Sequence, residues 1–549
     1  MGEKVKLRPI TEVAAMIGLT SEDIELYGNY KAKIKLEVYN KNESKPDGKL
    51  IVITAITPTK AGEGKTTTAI GLGQALWKLN HKNIVVVRQP SMGVTFGIKG
   101  GATGGGRSQI LPMEEINLHF TGDTHAITMA HHLMNAMLDN HIYRGKDPQI
   151  DLHNIFIKRV QDMEDRPLRK IVIGLGGKEG GIPRETGFEI TTACETAAIH
   201  ALAMNYKDLK ERLKNIIVAL NKDGKPVKAE EIKCVGCMAA IMRDSLKPNL
   251  VQTMEGTPAF VHGVPFANVA HGSPSLISIK MALKLADYVI AEAGFGSDLG
   301  FEKFCNIPCR IGGLKPDVGI IVLSIRALRE HGGAEDITKQ NLEAVKRGLE
   351  NLEKHVENVM KFRIPPVVAI NKFEGDSKEE IEAVINWCKE RNIPVAVSEV
   401  YAKGGEGGIE LAKVVLDTIR NRKSEFKPLY DVNLSIEEKI KIIAREMYGA
   451  DDVIFTDEAK ASIRRIRRWG YANLPINVAK TPLSLSDNPK LIGRPRGFKI
   501  TVTDLKLFAG AGFIVAYCGE ISTLPALPTE PAAENIDLDI ETGEIIGIR

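Results

Sequence analysis

No stretch of this 549-residue sequence approaches the roughly 20 apolar residues that span a bilayer. The first seven residues are polar and charged, with no apolar leader, so a cytoplasmic location is expected. An excess of one charge is also lacking. The 73 basic and 69 acidic residues are interspersed and leave a formal charge of +4, which argues against a dedicated nucleic-acid binder. Cysteine is sparse: seven residues, an odd number scattered over a long chain, fit reduced thiols rather than a disulfide framework. Cys234 and Cys237 have C-x-x-C spacing, but no second such pair completes a tetrahedral metal site, so they are expected to be ordinary small residues. Internal repeats and low-complexity tracts are absent as well.

What remains is the composition of a globular protein, 43% hydrophobic and 26% charged. The chain is too long for one core, and roughly two to four domains are expected. Short Val/Ile-rich runs at 50–56, 83–87, 170–175, 216–220, 288–291, 319–323, 367–370 and 393–397 predict buried strands. Helical patterns lie between them. The clearest places Ile337, Leu342, Val345, Leu349, Leu352, Val356 and Val359 on one apolar face. This alternation predicts an α/β fold with a P-loop NTPase-like, mainly parallel sheet as its core. The expected organisation is a nucleotide-binding domain over 1–330, a second α/β domain over 331–450 and a smaller C-terminal α/β domain over 451–549. After 524 the chain turns Pro-rich and then acidic, predicting a surface-hugging tail with short strands.

The sharpest local signal is Thr59-Lys60-Ala61-Gly62-Glu63-Gly64-Lys65-Thr66, which follows an apolar strand and opens a helix. This is the context of a P-loop. Its glycines let backbone N–H groups converge on phosphate oxygens, and the helix N-terminus adds a favourable partial charge. Lys65 is expected to bridge terminal phosphates, and the Thr66 hydroxyl to join a Mg²⁺ shell. Thr59 replaces the usual first Gly. Lys60 sits where the signature lysine of deviant P-loops occurs.

A second Gly-rich run at 97–106 includes Lys99, Gly100 and Gly101 and allows close backbone approach to a ligand. Upstream, Arg88 ends a predicted strand, on the edge where open parallel sheets bind ligands, and is a candidate clamp for a second anion. His119 and His125 flank Asp123, a pattern suited to proton handling or to ordering a cation shell. His262 and His271 are weaker candidates of the same kind.

Residues 96–102 and 117–123 closely resemble the signature region of formate–tetrahydrofolate ligases. So do 183–188, 256–259, 293–300, 322–333, 402–408 and 510–515, and the resemblance covers essentially the whole chain. It implies ATP-dependent formylation of tetrahydrofolate at N10 through formyl phosphate, giving ADP and phosphate. Lys65, Mg²⁺ and Arg88 would neutralise two anions held together. The resemblance further implies a pterin stacked between Phe373 and Tyr401. Formate, ATP and tetrahydrofolate are the implied partners, with a homotetramer and a monovalent cation such as K⁺.

Several positions depart from the family pattern. Tyr401 stands where Trp is usual, Glu374 where Pro is common, Gln89 for Glu, Arg107 for an aromatic and Ala526 for Gly, while Val264 and Pro274 alter the 262–271 loop. Tyr401 and Glu374 fall at the implied pterin pocket and raise the alternative of a modified tetrahydropterin as acceptor. Arg464, Arg465, Arg467 and Arg468 form a basic cluster, either a solvated helix face or a surface for an acidic folate tail. A deviant P-loop ATPase switch would share the phosphate loop and Lys60 but not the large extra domains or the 97–125 block, and a ligase for another small acid is set against the full-length resemblance.

Overall fold

The computed structural model describes residues 5–59, 62–99 and 102–548. Its centre is a large mixed sheet whose main path runs through ten strands. In chain order these are β1 (Ile24–Leu26), β2 (Ala32–Ile34), β3 (Lys49–Ala55), β4 (Asn83–Val87), β5 (Asn249–Thr253), β6 (Pro258–Val261), β7 (Tyr288–Glu292), β8 (Val318–Leu323), β9 (Pro366–Asn371) and β10 (Val395–Ser398). Their spatial order is β1-β2-β5-β6-β4-β7-β3-β8-β9-β10. From β6 to β10 every neighbouring pair is parallel, whereas β1, β2, β5 and β6 pair antiparallel. The parallel strands are buried on both faces, which explains why they are continuous apolar runs rather than alternating ones.

Chain order reverses around β3. The chain leaves β3 for β4 on one side, and β8, β9 and β10 later extend the other side. Open α/β sheets bind ligands in the crevice that such a reversal opens at the carboxyl ends of the strands. Residues 56–59 and 62–64, Arg88, Glu292 and Asn371 all lie at that edge.

Helix α1 (Lys65–Lys78) follows β3 directly, and its face from Thr68 to Leu76 is buried. Gly71 lets Val400 lie directly on this helix, where a Cβ would overlap the valine side chain. That close approach brings the 400–408 segment against the helix that opens at Lys65. Helix α2 (Asp123–Tyr143) begins after Gly122, which has φ of 88°. Helix α3 (Leu342–Lys361) carries the periodic apolar face, burying Val345, Leu349, Leu352, Val356 and Val359. The Asn341 side chain caps it by accepting from the Ala344 N–H, so Ile337 lies outside the helix.

Beyond the boundary expected near 330, β9 and β10 extend the β3–β8 sheet in parallel register. Edge strands of this kind bury their apolar faces by continuing the existing sheet rather than by starting a new core. Of the predicted strands, the runs at 170–175 and 216–220 do not join the central sheet. Ile171–Ile173 pairs with Arg184–Thr186, and Ile217–Asn221 joins a three-stranded antiparallel sheet. Apolar runs identify a strand but not its partner.

A separate four-stranded sheet is built from β11 (Asp452–Phe455), β12 (Ile476–Ala479), β13 (Lys499–Phe508) and β14 (Phe513–Cys518), in the order β11-β13-β14-β12. Helix α4 (Asp457–Arg468) packs on it and buries Ala459, Ser462, Ile463 and Ile466. The tail closes with a short antiparallel pair, Asp537–Leu538 against Ile545–Ile546.

Candidate functional site

The turn after β3 depends on glycine. Gly62 and Gly64 have φ of 75° and 78°, a region that L side chains rarely adopt. A Cβ on Gly64 would overlap Asn371 Nδ2, and that amide donates to the Glu63 carbonyl at 3.0 Å. The end of β9 therefore fixes the loop that precedes α1. Glu63 folds back inside the turn, where its Oε1 accepts from the Thr59 N–H at 2.7 Å and the Thr59 hydroxyl at 3.0 Å. Burial raises the Glu63 pKa, opposed by Lys65 and by these bonds to Thr59. Lys60, Ala61, Gly100 and Gly101 lie outside the described residues, and Lys99 ends the short helical segment Thr95–Lys99.

Lys65 and Thr66 begin α1. Burial lowers the Lys65 pKa, Glu63 and Glu292 oppose that shift, and Arg88 adds to it. The Thr66 hydroxyl donates to Glu292 Oε2 at 2.7 Å. On the other side of Glu292, Arg88 Nε lies 3.8 Å from Oε1, and the Arg88 N–H approaches the same oxygen at 3.5 Å. One buried carboxylate therefore sits between the first turn of α1 and the end of β4. Sequence reasoning missed Glu292. The available signal was an acidic residue closing an otherwise apolar parallel strand.

A buried polar network holds the turn from below. Thr57 Oγ1 contacts His355 Nε2 at 3.0 Å and accepts from Asn351 Nδ2 at 2.9 Å, while its carbonyl accepts from His331 Nε2 at 2.8 Å. Ser297 Oγ meets the other His355 nitrogen at 2.7 Å. Burial pulls the His355 pKa down to about 3, so the ring is neutral and serves as a hydrogen-bond relay. This ties α3 to the loop after β7.

The C-terminal sheet grips that same loop. Lys480 Nζ, just after β12, pairs with Asp298 Oδ2 at 2.8 Å, and neither side chain is exposed by more than 1%. The Asn268 Oδ1 accepts from the Lys480 N–H at 3.1 Å, and its Nδ2 donates to the Lys480 carbonyl at 2.9 Å. Breaking a buried pair such as Lys480–Asp298 typically costs about 3–5 kcal/mol, because it leaves one charge uncompensated.

The remaining candidates separate. Asp123 is buried in an ion pair with Lys33, and its second oxygen accepts from Asn249 Nδ2 at 2.7 Å. His119 and His125 are exposed. The His–Asp unit expected for proton handling is thus not assembled. A carboxylate buried this deeply needs a cation, and Lys33 of β2 supplies it. His262 is a core histidine whose Nδ1 meets Ser275 Oγ at 2.6 Å and whose Nε2 meets the Ser245 carbonyl at 2.7 Å.

Phe373 is half-buried beneath the Arg326 guanidinium, which stands 5.5 Å from its ring centre. Tyr401 is 52% exposed and lies against the backbone of Gly105 and Gly106, and its carbonyl accepts from the Arg107 N–H at 2.8 Å. Phe373 lies in the loop after β9, and Tyr401 in the short helix Val400–Lys403 that follows the neighbouring strand β10. In the basic cluster, Arg465 packs over Phe156 and Trp469, and Arg467 pairs with Glu437 at 3.0 Å. Arg464 and Arg468 are exposed. Cys234 is buried with its thiol pushed up to about 12, and among the described residues no cluster of His, Cys, Asp and Glu is arranged for a metal.

The family model for formate–tetrahydrofolate ligase matches residues 1–549. Among solved structures, Helicobacter pylori folylpolyglutamate synthetase is similar at 10% identity, over 77% of this chain and 72% of that one, with a TM-score of 0.21. That likeness is too slight to carry an argument. No helix among the described residues is long and apolar enough to cross a membrane.

Proposed function

The chain belongs to the formate–tetrahydrofolate ligase family, which matches it from end to end, and from that premise we propose how its residues carry the ATP-dependent ligation. A formate oxygen attacks the γ-phosphorus of ATP, the bond to the β-phosphate bridge breaks, and ADP leaves. N10 of tetrahydrofolate then attacks the carbonyl carbon of formyl phosphate and loses its proton. Phosphate departs with the original formate oxygen.

The observation that carries this reading is the convergence of Lys65, Thr66, Arg88 and Glu292 at one sheet edge. Two anions must meet there, and cationic groups fixed in a partly buried site lower that barrier. Lys65 would hold the terminal phosphates, and Arg88 the incoming carboxylate. The Thr66 hydroxyl and Glu292 carboxylate, already in contact, are hard oxygen donors suited to Mg²⁺. When bound, Mg²⁺ supplies charge neutralisation of the phosphates.

Phosphorylation turns an oxide leaving group into phosphate, and the anhydride must then be shielded from water. Phe373 and Tyr401 would flank the pterin and bring N10 over the formyl carbon. Activation by K⁺, assembly as a homotetramer and a cytoplasmic location belong to the same reading.

The test is isotope transfer. Incubation with ATP, Mg²⁺, tetrahydrofolate and ¹⁸O-formate is expected to place ¹⁸O in inorganic phosphate, with a methenyl product measurable after acid conversion. Product formation without ¹⁸O in phosphate would sink the formyl phosphate step, and no formate-dependent product would sink the ligase reading.

A further inference from the structure

The short helix Val400–Lys403, which carries Tyr401, is tied down on both sides. At its start the Ser108 hydroxyl donates to the Val400 carbonyl at 2.8 Å, and the Arg107 N–H donates to the Tyr401 carbonyl at 2.8 Å. The Arg107 carbonyl in turn accepts from Gln74 Nε2 of α1 at 3.2 Å. Past the end of the helix, Glu255 Oε1 accepts from the Gly405 N–H at 2.7 Å. Only glycine leaves room for this carboxylate. A Cβ on Gly404 would stand 2.5 Å from Glu255 Oε1, and one on Gly405 would stand 2.8 Å from Oε2.

Glu255 comes from the tip of the β5–β6 hairpin, 150 residues earlier in the chain. That tip is braced. The Thr253 N–H donates to the Thr257 carbonyl at 2.8 Å, the two threonine hydroxyls meet at 2.7 Å, and the Met254 N–H donates to the Gln109 carbonyl at 2.8 Å. Lys78 Nζ, at the end of α1, lies 3.5 Å from Glu255 Oε2. One carboxylate thus joins the hairpin, α1 and the chain that follows Tyr401, and a hydrogen bond to an ionised acceptor is stronger than a neutral one. The tyrosine ring itself rests on backbone: a Cβ on Gly105 would stand 3.0 Å from Tyr401 Cε2. Its position therefore follows that of the segment to which it belongs.

We propose that Glu255 is a positioning residue for the tetrahydrofolate acceptor, fixing Gly405 and through it the Tyr401 ring on which the pterin stacks. This rests on the pterin reading above. A ring already held in its binding position loses little freedom when the ligand arrives, and that saving appears as affinity. The contacts of Glu255 are with Gly405 and Lys78, not with Lys65 or Arg88, so formate and ATP are left to the other residues. The Glu255 side chain is 28% exposed, so its removal strands no buried charge.

Glu255→Ala, Glu255→Gln, Tyr401→Ala and the double variant Glu255→Ala with Tyr401→Ala, each checked by circular dichroism, are to be assayed with tetrahydrofolate, formate and ATP varied separately. Glu255→Ala is expected to raise the tetrahydrofolate KM about threefold or more, with the KM values for formate and ATP unchanged. Glu255→Gln, whose amide oxygen still accepts from the Gly405 N–H, should restore a KM near that of wild type. The double variant should match Tyr401→Ala alone, because removing the ring removes what Glu255 positions. Effects that multiply in the double variant overturn the proposal. So does a folded Glu255→Ala variant with wild-type tetrahydrofolate KM, or one with all three KM values raised alike. The unmodified enzyme provides an independent readout. Tetrahydrofolate should slow amide hydrogen exchange in peptides covering 253–257 as well as 400–408. Slowing confined to 400–408 overturns the proposal even where no variant folds. A Tyr401→Ala variant with wild-type tetrahydrofolate KM instead overturns the pterin reading, and the proposal with it.

Discussion

Replacing Glu292 by Gln tests the site most directly, since that carboxylate contacts both Thr66 and Arg88. The substitution keeps the size of the side chain and removes its charge. At 3.8 Å from Arg88 Nε, two unit charges interact by about 4 kcal/mol at an effective dielectric of 20. The Glu292 side chain is 8% exposed and that of Arg88 26%, so screening takes part of this. The Thr66 bond at 2.7 Å is charge-assisted and worth about 1.5–3 kcal/mol. Allowing for relaxation, a loss of about 3 kcal/mol in transition-state stabilisation is expected, roughly a hundredfold in kcat. The Mg²⁺ concentration for half-maximal rate should rise at the same time. The pH profile carries a sign. Glu292 favours the charged form of Lys65 against burial and Arg88. Without it Lys65 loses its proton more readily, so the alkaline fall in activity should move to lower pH. The assay is formate-dependent ADP release across pH and Mg²⁺. A variant within about threefold of wild-type kcat, with unchanged Mg²⁺ dependence, would refute the reasoning.

Gly64→Ala forces a left-handed residue onto Asn371, so nucleotide affinity measured by calorimetry should fall by at least tenfold, the equivalent of about 1.4 kcal/mol of strain. Burial alone would raise the Glu380 pKa, but the bidentate Arg329 pair, the Asn341 N–H and Ser377 hold it down to about 2 from 4.5. Its stabilisation, about 3 kcal/mol, is therefore complete above pH 4.5 and lost as pH falls towards about 2. Glu380→Gln should cost about 3–5 kcal/mol at neutral pH, and the difference in denaturant midpoint from wild type should shrink over that acid window. Tyr401→Ala should raise the KM for tetrahydrofolate about two- to twelvefold, the value of one aromatic contact, with the KM for formate unchanged in the same steady-state assay. An unchanged tetrahydrofolate KM would remove Tyr401 from the pterin site.

Local chemistry made much of this protein legible without a structure. The turn after β3 declares itself because glycine at 62 and 64 permits a backbone that other residues resist, and both adopt it. The parallel strands are readable because burial on both faces demands continuous apolar runs, and α3 because one face must repeat with the helical period. Partnership was less legible. The runs at 170–175 and 216–220 are as apolar as central strands, yet they pair elsewhere.

The sequence by itself determined the glycine turn after β3, the family and the principal strands, because each is carried by residues close together in the chain. Only the tertiary structure decided that Glu292 meets Thr66 across 226 residues, that Asp123 is spent on Lys33, and that Glu255 reaches Gly405 across 150 residues. Those outcomes depend on which charges and donors find partners through space once the sheet has closed. Strand order and burial set them, and neither is carried by any short stretch of chain.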